Sequence, residues 1–241
     1  MADAMTFGVA VKQQGDIVIA VDGRMKFHDG RTPAEQVLKS VRLNKSLCLA
    51  MSGDTPYMVP ILDALGLPTE DIPHDRLFQV WEESGEELPI GYNKAKVIIK
   101  ATLPELVSAA QARGEIDKLV GILLAGKLST GPFLCNWGSI AEALKCGDDP
   151  CQPQQEASAR YGGCLFIGRI PSEGTIERDR LMKLVLGEGR IAGAEPRLVS
   201  AVRFISAWDA GKTKSVGMNV STRRFSNEFR LEWDILGEPS N

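Results

Sequence analysis

The sequence predicts an α+β protein in which two antiparallel sheets stack face to face and helices cover both outer surfaces. The chain up to Gly53 contains two pairs of segments with alternating apolar residues, a pattern typical of β-hairpins. Helical apolar spacing follows and recurs towards the C-terminal end, with further apolar runs of strand length between the helices. Stacking the sheets between helices buries all of these apolar surfaces.

The first hairpin brings a hydroxyl and a carboxylate to one end. Its apolar residues form two runs separated by a short break at Gly15: Phe7, Val9 and Val11, then Ile17, Ile19 and Val21. Thr6 begins the first strand and Asp22 lies near the end of the second. Because these two ends are neighbours in an antiparallel pair, we expect the two side chains to lie close together.

The second hairpin repeats this arrangement with an ammonium and a glycine. Lys39 opens the strand over 39–43, residues 44–46 form the turn, and the partner strand over 47–51 leads to Ser52-Gly53. A hydroxyl nucleophile, a carboxylate, an ammonium and a glycine N–H are the groups that an acyl-transfer site requires. Taken singly, each of these residues is equally compatible with ordinary turn chemistry or a surface ion pair.

The later elements follow from local signals. A helix is predicted over 55–66, with Thr55 as its cap and Gly66 as its stop. A second helix is predicted over 94–113, and Pro104 is expected to interrupt it or to start a fresh turn. The stretch 67–93 is rich in Pro and Glu, and its acidic run 82–87 is interpreted as a solvated loop or a helix end. The other expected elements are strands over 119–126, 131–137 and 161–168, an irregular loop over 141–160, a helix over 196–210, and closing strands over 218–220 and 229–235.

The two N-terminal hairpins resemble those of proteasome β-type subunits and their bacterial proteasome-type relatives, which are N-terminal-nucleophile hydrolases. The residues that carry the resemblance match in order: Thr6, Asp22-Gly23-Arg24, Lys39 and Ser52-Gly53, with one extra residue between Arg24 and Lys39. The resemblance implies a four-layer αββα sandwich. It also implies one domain over 1–241, in which 1–5 is a short pro-segment or precedes an alternative start at Met5.

The resemblance assigns a role to each matched residue. Thr6 is the nucleophile, and its own α-amine, with a pKa of about 8, is the base once Thr6 is the first residue. Lys39 holds positive charge beside the hydroxyl, Asp22 orients Lys39, and the N–H of Gly53 binds the developing oxyanion. Met5, where the family usually has glycine, precedes Thr6, so exposure of Thr6 by aminopeptidase removal of Met5 is an alternative to autocleavage.

Further residues match the family beyond the hairpins. Asp209 corresponds to the aspartate that ends a late helix of the family, and Ser215 to the serine that follows it. Arg169 stands where the family commonly has a serine after the strand glycine. The resemblance also places four residues at the specificity pocket, whose mostly apolar character favours an apolar substrate side chain: Met25, Val37, Met51 and Thr55.

The expected function is therefore that of a threonine endopeptidase acting on peptides or proteins and assembling with its own copies into a ring. Two alternatives remain open at this point. One is a non-catalytic ring or scaffold subunit in which residues 1–5 cover Thr6, and the other is a small-molecule amidase. No ATPase or cap partner can be inferred from the sequence.

Composition narrows the class of protein. The 241 residues carry a net charge of −3, with 28 basic and 31 acidic side chains and no basic run longer than Arg223-Arg224, which argues against nucleic-acid binding. No apolar run approaches the length of a membrane span, and no signal peptide is evident. Five cysteines without an export signal indicate reduced thiols and a cytoplasmic location. Cys146 and Cys151 lack neighbouring ligands, so no metal or other cofactor is expected.

Overall fold

The two sheets of the protein are antiparallel and have five strands each in the described part of the chain. The computed structural model describes residues 6–13, 16–26, 32–128, 131–138, 140–153, 155–156, 164–168, 170–187, 193–212, 216–225 and 229–234. Sheet A has the order β10-β9-β2-β1-β8, and sheet C has the order β3-β4-β5-β6-β7. The strands of sheet A are β1 (Phe7–Gln13), β2 (Asp16–Asp22), β8 (Cys164–Gly168), β9 (Val220–Phe225) and β10 (Phe229–Asp234). Those of sheet C are β3 (Ser40–Asn44), β4 (Leu47–Ser52), β5 (Gly121–Leu128), β6 (Gly131–Trp137) and β7 (Gln155–Glu156).

Helices cover the outer surface of each sheet. The described helices are α1 (Thr55–Leu65), α2 (Leu77–Ser84), α3 (Tyr92–Arg113), α4 (Ile140–Cys146), α5 (Ile176–Leu186) and α6 (Ala194–Ala210). One apolar layer joins sheet C to α1, α2 and α3, and a second joins sheet A to α5 and α6. A third layer lies between the two sheets. The predicted four-layer αββα sandwich is therefore confirmed.

Alternation along the first hairpin explains why both of its faces are buried. Phe7, Val9 and Val11 of β1 pack on the helix side of sheet A, whereas Ala10 packs between the sheets. Since successive side chains of a strand point to opposite faces, an apolar run of this kind suits a strand covered on both sides. The inner face uses small residues at close approaches: a Cβ at Gly8 would lie 2.8 Å from Cγ1 of Ile167.

Several predicted elements need correction. Pro104 does not interrupt α3: it lies on the exposed side of the helix, and the buried side continues past it through Leu106 and Val107. The cap position of α1 is Asp54 rather than Thr55, which is the first helical residue, whereas Gly66 ends the helix as predicted. Residues 67–93 contain α2, which ends at Ser84, so the acidic run 82–87 begins at a helix end as one of its two interpretations expects. The part of α2 that was not predicted is its beginning, where Leu77, Phe78 and Trp81 pack against the core.

Other differences lie in the second half of the chain. The region 141–160 contains most of α4 and the short strand β7, and α5 was not predicted at all. The strand expected over 218–220 begins instead at Val220 and continues to Phe225. Cys48 and Cys164 are buried as expected for core residues, and all five cysteines are free thiols.

None of the helices in the described part of the chain is both long enough and apolar enough to span a bilayer. Among the same residues, no cluster of three or more His, Cys, Asp or Glu side chains is arranged to hold a metal ion.

Candidate active site

Three ionisable or hydroxyl side chains meet at one end of the sandwich. Thr6 immediately precedes β1, Asp22 ends β2, and Lys39 immediately precedes β3 of the other sheet. The Lys39 ammonium donates hydrogen bonds to Thr6 Oγ1 at 2.8 Å and to Asp22 Oδ2 at 3.1 Å. The structure thus brings together Thr6 and Asp22, as the hairpin argument predicts, with the ammonium of Lys39 bridging the hydroxyl and the carboxylate.

The three residues are almost completely buried. Thr6 and Lys39 are each 4% exposed, and Asp22 is 0% exposed. A buried ion pair is retained only where further hydrogen bonds compensate for the lost hydration of both charges. The surroundings of Asp22 and Lys39 meet this requirement.

Asp22 accepts hydrogen bonds at both carboxylate oxygens. Its Oδ1 accepts the backbone N–H of Phe7 at 2.9 Å. Its Oδ2 accepts the backbone N–H groups of Arg24 at 3.1 Å and Gly217 at 3.0 Å, in addition to the Lys39 ammonium. Backbone N–H groups cannot be displaced by a side-chain rotation, so Asp22 is held in one orientation. It therefore provides a fixed negative charge beside Lys39.

Lys39 uses all three donors of its ammonium. The third hydrogen bond goes to the carbonyl oxygen of Arg24, beside those to Thr6 and Asp22. Burial lowers the pKa of Lys39 below its ordinary value, and the neighbouring Asp22 carboxylate partly offsets this effect. A lysine with a lowered pKa beside a hydroxyl can stabilise an alkoxide and can exchange a proton with it.

Gly53 has the backbone conformation and the surroundings that require glycine. Its φ is +117°, and a Cβ at this position would lie 2.8 Å from the Cα of Val120. It follows β4, which is tied to the lysine because the N–H of Met51 donates to the carbonyl of Lys39 at 2.9 Å. The backbone hydrogen bonds between the described turn and loop residues do not include one from the Gly53 N–H. Its role as the oxyanion donor stays a prediction.

Gly168 is a site residue to which sequence reasoning assigned no role. It pairs with Phe7 across β1 and β8 and has a φ of +81°. A Cβ there would lie 2.7 Å from the carbonyl carbon of Thr6 and would overlap the carbonyl oxygen. The backbone of Thr6 therefore rests directly on this glycine. In the sequence, the only indication of this role is that a glycine ends the strand directly before Arg169.

Gly217 is a second residue that the sequence did not single out. Its N–H donates to Asp22, and a Cβ there would lie 2.7 Å from the Cβ of Arg24. It is 195 positions from Asp22 along the chain. No local pattern reveals a contact of that separation.

Asp209 supports the segment that contains Gly217. It is fully buried near the end of α6, and its Oδ2 accepts the N–H of Val216 at 3.2 Å. Ser206, one turn earlier in the same helix, donates to the carbonyl of Val216 at 2.8 Å. Asp209 is thus connected to Asp22 through Val216 and Gly217. Ser215 and Arg169 lie outside the described residues, so their predicted roles stay predictions.

The four residues predicted to contact substrate differ in exposure. Met25 is half-buried, and its N–H and carbonyl both bond to Ala34. Thr55 is half-buried at the start of α1, whereas Val37 is buried. Met51 is fully buried in the apolar layer below α1 and α3. Met25 and Thr55 are therefore the two of these four that keep an appreciable surface, and the binding role of all four stays a prediction.

Comparison with known proteins adds no assignment: neither the models of protein families nor the curated proteins give a match to this chain.

Proposed function

We propose that this protein is a threonine-type N-terminal-nucleophile hydrolase of the proteasome β-subunit kind, and that it cleaves peptide bonds. The observation that carries the proposal is the buried contact in which the Lys39 ammonium donates to Thr6 Oγ1 at 2.8 Å and to Asp22 Oδ2 at 3.1 Å. An ordinary ion pair on the protein surface would be exposed to water, and it would not need to include a threonine hydroxyl. The αββα sandwich supports the same proposal.

In the proposed reaction the groups of the site act one after another. The free α-amine of Thr6 takes the Oγ1 proton while Lys39 stabilises the developing alkoxide, and the oxygen attacks the substrate carbonyl. The Gly53 N–H stabilises the resulting oxyanion, an effect that is worth about 3 kcal/mol for one such donor. The C–N bond then breaks, the leaving amine takes the proton, and an ester to Thr6 remains. The α-amine of Thr6 then takes a proton from the water that attacks this ester. The bond from the acyl carbon to Oγ1 breaks, the carboxylic acid product leaves, and the α-amine returns the proton to Oγ1.

This mechanism requires that Thr6 become the first residue. In the chain as it stands Met5 precedes Thr6, so the nitrogen of Thr6 is part of a peptide bond and is not basic. Cleavage of the Met5–Thr6 bond, or translation from Met5 followed by removal of the methionine, produces the amine. Either route belongs to the proposal.

A second candidate is a non-catalytic ring or scaffold subunit with the same fold. The observation that favours it is the burial of Thr6, which is 4% exposed. A nucleophile covered to this extent cannot reach a peptide substrate until the cover is removed. Self-assembly into a ring is proposed under both candidates, and the free thiols of all five cysteines support the proposed cytoplasmic location.

The deciding experiment is the intact mass of the purified protein before and after treatment with a peptidyl electrophile that traps N-terminal threonine. The proposal expects a chain that begins at Thr6 and gains one adduct. The Thr6→Ala variant is the control and should gain none. A chain that keeps Met1 or Ala2 and gains no adduct, even after long incubation, would favour the scaffold candidate.

A further inference from the structure

The contacts of Lys39 cross from one sheet to the other. Lys39 precedes a strand of sheet C, whereas Thr6 and Asp22 flank strands of sheet A. The layer between the sheets contains an apolar cluster, and Asn136 of β6 donates one hydrogen bond across it to the carbonyl of Phe166 in β8 at 2.8 Å. Apolar packing is non-directional and tolerates small displacements, so by itself it does not set the position of one sheet against the other to within a hydrogen-bond length. A directional link near Lys39 is needed for that.

Arg223 of β9 provides such a link. Its side chain is 0% exposed. Its Nε donates to Ser40 Oγ at 2.8 Å, and its Nη2 donates to the Ser40 carbonyl at 2.8 Å. Ser40 directly follows Lys39. The planar guanidinium therefore connects sheet A to the residue of sheet C that is bonded to Lys39, with two hydrogen bonds in a rigid geometry.

Glu82 of α2 completes this link from the outer helix layer. It pairs with Arg223 at both carboxylate oxygens, Nη2 to Oε2 at 2.9 Å and Nη1 to Oε1 at 3.1 Å. Glu82 Oε2 also accepts the backbone N–H of Arg42 at 3.3 Å. The guanidinium is thus held from two sides, by β3 and by α2. A bidentate pair of this kind fixes orientation as well as charge.

The same segment of chain also holds the partner of Lys39. Gly217 donates its N–H to Asp22 Oδ2, and Val220 lies opposite Asp22 in the pairing of β9 with β2. Three residues after Val220, Arg223 reaches across to Ser40. The segment from Gly217 to Arg223 therefore contacts the carboxylate directly and the lysine through its neighbour.

We propose that Arg223, bonded to Ser40 and paired with Glu82, is a positioning residue that holds the Lys39 ammonium against Thr6 Oγ1 and Asp22 Oδ2. The inference rests on the proposed function in one respect, namely that Lys39 and Thr6 form the reacting pair. Arg223 itself touches neither Thr6 nor the substrate. It acts through the backbone of Ser40.

The test compares the full-length protein with the double variant Arg223→Met/Glu82→Gln. Removing both charges avoids leaving one of them buried without its partner, which would unfold the protein for an unrelated reason. Arg224→Met is the matched control, since Arg224 is the next residue of β9 but is exposed and pairs with Asp16 on the surface. Ser40→Ala is the second test variant, because it removes only the Oγ acceptor and keeps all charges.

The first measurement is the titration of the Lys39 ammonium by NMR of protein with ¹⁵N-labelled lysine, assigned from its absence in Lys39→Met. The charged groups that face this ammonium are Asp22, Glu35 and Arg24, and none of them is altered. In the double variant Lys39 is no longer held in its buried position and gains water. Its pKa should return towards the ordinary lysine value, by a smaller amount in Ser40→Ala and not at all in Arg224→Met.

The second measurement is peptide turnover per Thr6 titrated with the electrophile. Because displacement by about 1 Å can reduce a rate by about 100-fold, we expect kcat per titrated site to fall by about 10- to 100-fold, with KM within about twofold. A merely structural role would lower the number of titrated sites but not the turnover of each. Turnover per site equal to that of Arg224→Met would overturn the proposal.

The two measurements also separate this inference from the proposed function. If the wild-type chain gains no adduct on Thr6, the hydrolase proposal fails, while the Lys39 titration still decides whether Arg223 positions the ammonium. A Lys39 titration that is identical in the wild type, the double variant and Ser40→Ala overturns the positioning role whatever the protein catalyses. If the double variant does not fold, Ser40→Ala decides the question alone.

Discussion

Replacing Gly168 with alanine tests whether activity requires the close contact between Gly168 and the Thr6 carbonyl group that the structure shows. The added Cβ would lie 2.7 Å from the Thr6 carbonyl carbon and would overlap its oxygen. The preferred separation of non-bonded carbon atoms is about 3.5 Å, so this pair must move apart by about 0.8 Å, and the overlap with the oxygen requires a larger movement. The φ of +81° adds strain of about 1–2 kcal/mol for a residue with a Cβ.

The displaced atoms belong to the proposed nucleophile, so turnover per folded molecule should fall in addition to the loss of stability. A shift approaching 1 Å in a reacting group reduces rates by about 100-fold. We therefore expect Gly168→Ala to lower kcat/KM for a fluorogenic peptide by about that factor. The free energy of unfolding in urea should fall by about 1–3 kcal/mol.

Gly174→Ala is the matched control for this experiment. Gly174 has a φ of +76°, but nothing lies within 4 Å of the position of its Cβ. The substitution therefore introduces similar backbone strain without the contact with Thr6. The variant should lose stability while keeping its turnover per folded molecule. If Gly168→Ala and Gly174→Ala have equal kcat/KM values, the reasoning about the position of Thr6 is wrong.

Four further predictions follow from the same site. Thr6→Ala should abolish peptide turnover while lowering the unfolding free energy by only about 1 kcal/mol, because one hydrogen bond is lost; residual turnover would place the nucleophile elsewhere. Asp22→Ala should destabilise the protein by about 3–5 kcal/mol in a urea titration, because it leaves the buried Lys39 ammonium without its counter-charge; a loss below 1 kcal/mol would show that the pair is not buried in solution. The lowered pKa of Lys39 means that, between its folded-state pKa and its ordinary value of 10.5, the unfolded chain binds more protons than the folded one. The unfolding free energy contributed by Lys39 should therefore rise with pH across that window, and Lys39→Met, compared with wild type by pH-dependent denaturation, should remove this rise. Asp209→Asn should weaken the hold on the Val216 N–H and lower kcat without changing KM, and an unchanged kcat would show that this carboxylate has no influence on the site.

Part of the site could be predicted because Thr6 and Asp22 belong to the same hairpin and are close together in the sequence. The start of β1 and the end of β2 are neighbours in any hairpin of this length, so alternation of apolar residues was sufficient to bring Thr6 and Asp22 together. The same alternation predicted β3 and β4 with Lys39 and Gly53 at their ends. Helix α4 was missed because it has only 7 residues, too few to show a helical period. Helix α5 was missed because its first turns are dominated by charged side chains and only Leu181 and Val185 are buried.

The sequence by itself therefore determined the two hairpins, enough of the strands and helices to predict a four-layer sandwich, and the identity of the groups at the strand ends. Only the tertiary structure decided how those groups meet. Lys39 reaches Thr6 and Asp22 because the two sheets stack, Gly217 reaches Asp22 across 195 positions, and Arg223 reaches Ser40 across 183. Periodicity records which face of a strand is buried, but not what packs on that face. Contacts between sheets depend on the packing of the whole chain, and no local pattern contains them.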